Sequence, residues 1–110
     1  MLNASDHCVV YITAGSEAEA STLANSLVSE GLAACVNRIG PMQSTYVWEG
    51  KLEQDTEYLL IAKTRLALLE TLTARIQALH SYSTPEIIAL PIVGGSAAYL
   101  NWIRQSTQES

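Results

Sequence analysis

"STYVWEGKLEQDTEYLLIAKT", residues Ser44 to Thr64, decides the fold. Two runs of β-favouring residues flank Glu49-Gly50, a pair that suits a tight two-residue hairpin turn, though less well than Asn-Gly would. The return run begins as an alternation of charged and apolar residues and becomes apolar toward Ala62. That alternation puts Glu53, Asp55, Glu57, Leu59, Ile61 and Lys63 on one face, and Leu52, Tyr58, Leu60 and Ala62 on the other. Alone, this strand of about 14 residues at roughly 3.3 Å each runs to about 45 Å. A compact chain of this size, with a radius of gyration near 13 Å, is only about 34 Å across. The hairpin must therefore bend at a bulge or overhang its own domain. An overhanging ribbon offers unpaired backbone groups to a neighbouring chain.

The flanking segments complete the pattern. "CVVYITA" (Cys8 to Ala14) is β-branched and apolar on both alternating faces, as in the middle of a sheet. Ser16 followed by Glu19 has the spacing of a capping box, and Ala20, Leu23, Ala24, Leu27 and Val28 share a helical face that Gly31 can end. "LAACVN" resumes strand character and is interrupted at Gly40-Pro41 before the hairpin. A second helix is predicted from about Arg65 to His80, with Leu69, Leu72, Ile76 and Leu79 at helical spacing. "EIIALPIV" reads as a fourth strand, which Pro91 assigns to an edge or bulge. Ser96 can cap a last helix bearing Tyr99, Trp102 and Ile103.

The order strand, helix, strand, strand, helix, strand, plus a C-terminal helix, predicts an α+β chain. It is the ferredoxin-like split βαβ arrangement, with an antiparallel sheet and a long hairpin between the second and third strands. The chain reads as one domain over residues 1–110, with 1–6 and 105–110 expected to fray. Helices on one sheet face leave the other apolar face in need of a cover. Composition agrees: only 15% of the 110 residues are charged, against roughly 25% in an average soluble protein, while 48% are apolar. Self-association is the economical cover.

A net charge of −5 with no basic cluster argues against nucleic acid as a partner. No apolar run reaches the roughly 18 residues that span a bilayer, and the first residues do not resemble a signal peptide, so a cytoplasmic protein without membrane association is expected. Cys8 and Cys35 should then be reduced thiols, too far apart across a ferredoxin-like sheet to pair.

Few residues invite chemistry. In "LHSYSTPEIIALPI" (Leu79 to Ile92), His80 ends a helix close to Tyr82 and Glu86, which suggests an imidazole near the surface that either caps the helix or binds metal. His7 reads as a solvated bystander. Glu57 and Lys63 share a strand face about 20 Å apart, so each needs another partner. Lys63 either snorkels to an edge or supplies positive charge to an anion pocket between chains. Trp48 and Trp102 read as core or interface anchors. No acid/base pair, nucleophile triad or phosphate loop is apparent, so no enzyme is expected.

"EGLAACVN", "STYVWEGK", "EYLLIAKT", "HSYSTPEIIALPI" and "YLNWI", in that order over nearly the whole chain, resemble the CutA divalent-cation tolerance proteins. The resemblance implies a homotrimer in which long hairpins pair between subunits, similar in architecture to the PII signalling proteins. It implies a role in tolerance of copper and other divalent metals, without catalysis. It also implies an inter-subunit cleft lined by Cys35, Glu57, Lys63, His80, Tyr82 and Glu86, with Trp48 added here as a cleft residue. His80, Cys35 and Glu86 are the candidate metal ligands, and a divalent cation such as copper is the only cofactor suggested. Members credited with copper ligands carry a cysteine and a second histidine where this chain has Ile12 and Leu79, which leaves one imidazole and predicts at most modest affinity. Ser81 also stands where a proline is common. The leading reading is therefore a homotrimeric metal-tolerance protein. The alternative is a PII-like signalling module whose cleft binds a small anionic metabolite through Lys63 and regulates a protein partner.

Overall fold

In the computed structural model, which describes residues 4–109, the elements run β1 (His7–Ala14), α1 (Glu17–Ser29), β2 (Cys35–Trp48), β3 (Lys51–Arg65), α2 (Leu69–Leu79), β4 (Ile87–Pro91) and α3 (Ala97–Gln105). The strands lie in the order β2-β3-β1-β4, each antiparallel to its neighbour. This is the predicted α+β ferredoxin-like sheet. β4 with Pro91 is at one edge and the long hairpin at the other.

The hairpin both bends and overhangs. Its turn residues have φ of 51° at Glu49 and 80° at Gly50, the left-handed pair whose twist matches that of the strands. Pairing runs from Trp48↔Lys51 to Met42↔Glu57, shifts at the Gly40-Pro41 bulge, and resumes from Ile39↔Leu59 to Cys35↔Lys63. β1 reaches only Tyr58 of β3, so the far half of the ribbon has no third strand beside it. The molecule accordingly measures 49 × 25 × 22 Å, with a radius of gyration of 14.6 Å.

α1 starts as the sequence predicts, with Ser16 Oγ accepting the Glu19 N–H at 3.1 Å. Leu23 and Leu27 of α1 and Leu72 and Ile76 of α2 pack on Val10, Ile12, Leu60 and Ala62 in one core. Fully burying each such leucine or isoleucine contributes about 1.5–3 kcal/mol. Val28 is exposed rather than part of that face. α2 is entered through a 3₁₀ turn at Leu66–Leu68, and Leu32 to Ala34 form a buried connection ahead of β2. His7 corrects the expectation of a solvated side chain: it is buried, with Nε2 3.0 Å from the Leu100 carbonyl. The expected loose ends fall partly on residues 1–3 and 110, outside the described residues. In the described tail, Gln108 N–H donates to Gly31 O at 2.8 Å and Arg65 Nε to Thr107 Oγ1 at 3.0 Å.

The second sheet face is different. Strand alternation places Val9, Tyr11, Leu59, Ile61, Ile88 and Leu90 there, with Ile39 on β2. Ile39 and Ile88 are more than half exposed. Exposed apolar residues grouped on one face in this way are uncommon on a lone soluble chain.

Candidate functional site

The site forms where β1 ends, α2 stops and the hairpin begins to overhang. α2 stops because His80 turns extended, while its N–H still bonds Ile76 O at 2.8 Å. The imidazole is swung inward and wholly covered, not near the surface as expected. Its Nε2 is 2.7 Å from the Thr13 carbonyl, and its Nδ1 is 3.0 Å from the Tyr82 amide nitrogen. A carbonyl can only accept and an amide N–H can only donate, so the hydrogen sits on Nε2 and the Nδ1 lone pair faces Tyr82. Both ring nitrogens are committed.

Glu19 locks the same corner. Beyond its place in the α1 cap, its carboxylate accepts the Gly15 N–H at 3.2 Å and the Ser81 N–H at 2.8 Å, 3.7 Å from His80 Nδ1. Burial works against its charge, but the bonds from Ser81 and Gly15, with His80 nearby, hold the carboxyl below its ordinary range. Tyr82 is then projected back over Gly15, where a β-carbon would stand 2.8 Å from the phenol oxygen. With any other residue there the phenol would have to give way. The Tyr82 hydroxyl donates to Glu57 Oε2 at 3.1 Å.

Glu57 forms the floor of a cavity of about 720 Å³ between the hairpin and residues 82–86. Glu86, Asp55 and Glu57 supply carboxylates, Tyr46, Trp48 and Tyr82 supply rings, and the remaining lining residues are hydroxyl-bearing Ser and Thr. The Tyr46 hydroxyl donates to Asp55 across the hairpin. That bond pushes the Tyr46 phenol up to about 12, whereas partial burial, then the bond to Glu57 and the nearby carboxylates, pushes Tyr82 up to about 12. Both shifts report a field that opposes added negative charge.

The sequence-predicted residues divide accordingly. Glu57, Tyr82, Trp48 and Glu86 line the cavity. Lys63 does not: it pairs with Cys35 on β2 and Val9 on β1, near the opposite end of the sheet from Thr13, and its ammonium is held by Asn37 Oδ1. Among the described residues, no lysine, arginine or histidine lines the cavity. An anionic metabolite would meet carboxylates there, so the anion-pocket reading gains no support. The metal set of His80, Cys35 and Glu86 is likewise not assembled within the chain. Cys35 lies at the Lys63 end, His80 has no free lone pair, and among the described residues no three His, Cys, Asp or Glu side chains are placed to hold an ion. Cys8 is buried, which raises its thiol above the ordinary range, and both cysteines are free.

Sequence reasoning missed Thr13, Tyr46 and Asp55 as lining residues. A two-residue turn at 49–50 fixes Ser44 opposite Asp55 and Tyr46 opposite Glu53, so counting back from the turn would have found the Tyr46–Asp55 neighbourhood. Nothing local pointed to Gly15 or to the second role of Glu19.

Comparison with known proteins places the chain. The sequence profile of the CutA1 divalent ion tolerance protein family matches residues 8–106. "Protein CutA, chloroplastic" of Arabidopsis thaliana is 53% identical over 100 residues, covering 91% of this chain and 55% of that protein. The chain thus spans about half the length of this plant relative. "Divalent-cation tolerance protein CutA" of Thermus thermophilus is 48% identical over 99 residues, covering 90% of this chain and 96% of that one. A crystal structure of CutA1 from Oryza sativa superposes with a TM-score of 0.93 at 50% identity, over 94% of this chain and 95% of that chain. With the sheet order, the overhanging hairpin and this match in agreement, the chain belongs to the CutA1 divalent ion tolerance family.

Proposed function

We propose that this protein acts in tolerance of divalent metal cations, copper among them, as a homotrimer and without catalysis. The observation that carries the reading is the family match across residues 8–106. The open apolar sheet face and overhanging ribbon support assembly, because three copies closing around one another would cover the first and pair the second. Residues 1–110 then act as one domain, and the cavity at Glu57, Tyr82 and Trp48 becomes a cleft between subunits. The protein has no resident cofactor in this reading. His80, Cys35 and Glu86 do not fit copper within one chain, so no metal-dependent step is assigned to them.

A cytoplasmic setting accords with two free cysteines separated by β3. No helix among the described residues is long and apolar enough to cross a membrane. The acidic surface supports neither nucleic acid nor anionic membrane as a partner. The test is growth over a copper gradient of a bacterial strain lacking its own family member, with and without this chain. Restored growth at inhibitory copper is expected; unchanged sensitivity despite normal expression contradicts the proposal.

A further inference from the structure

We draw no further inference here: the strongest candidate, the cavity of about 400 Å³ that Arg65 and Arg104 line with Asp6 where β3 runs into the helical turn before α2, carries nothing, because the Arg65 guanidinium already serves to hold Thr107 Oγ1 and the Gln108 carbonyl, Arg104 is exposed, and no second feature there points to an anion.

Discussion

Removing the His80 ring should cost stability and leave metal binding untouched. In His80→Ala the Thr13 carbonyl loses the Nε2–H donor and the Tyr82 N–H loses the Nδ1 acceptor. A buried group left without its partner costs about 1–3 kcal/mol, and two such groups, partly rewetted through the adjoining cavity, amount to about 3–4 kcal/mol. The emptied ring volume acts in the same direction. For a domain of this length, about 1 kcal/mol lowers the melting temperature by roughly 4 °C, so a fall of about 12–16 °C is expected. Thermal and urea unfolding followed by circular dichroism, at one fixed protein concentration, measure it. His80→Gln should recover part of the loss, because its amide can serve one of the two abandoned groups. Calorimetric titration with copper on the same preparations completes the test. An unchanged melting temperature together with loss of copper uptake would refute the assignment of His80 as a structural pin.

Other expectations are narrower. Two of the five tyrosines should ionise late. Absorbance titration of folded protein should show Tyr46 and Tyr82 losing protons near pH 12, not near 10, with one late step missing in Tyr82→Phe. Because the folded state raises these phenols, the stability they contribute is full below pH 10 and disappears as pH rises through about 12. Glu19 has the opposite sign: its carboxyl lies below the ordinary 4.5, so its contribution is present above that pH and is lost on acidification. Glu19→Gln should therefore lower the urea midpoint at pH 6 and flatten its fall toward pH 3.5. Cys8, buried and with a raised thiol, should resist a thiol reagent until the protein unfolds.

Much of the architecture was legible because two signals agreed. Alternation in β3 and a two-residue turn at Glu49-Gly50 specified the hairpin, and the length of the ribbon forced the overhang seen in the 49 Å axis. The Ser16–Glu19 cap and the leucines of α1 likewise carried their own geometry. The site was less legible because it is assembled by tertiary approach. His80 lies beside Tyr82 and Glu86 in sequence, which invited a shared role, yet the extended turn at its backbone sends the ring inward to Thr13 while Tyr82 goes outward to Glu57. Lys63 shares a strand face with Glu57, but strand rise carries it to the far end of the sheet. Local pattern gives the face of a residue; it does not give which loop folds back over it.

The most direct measurement is the solution mass of the purified chain at micromolar concentration, by light scattering coupled to size exclusion. Closure of the exposed β-face by identical copies predicts one species near three times the 11.9 kDa chain mass. A single, stably folded species at 11.9 kDa, persisting as concentration rises, would contradict the account.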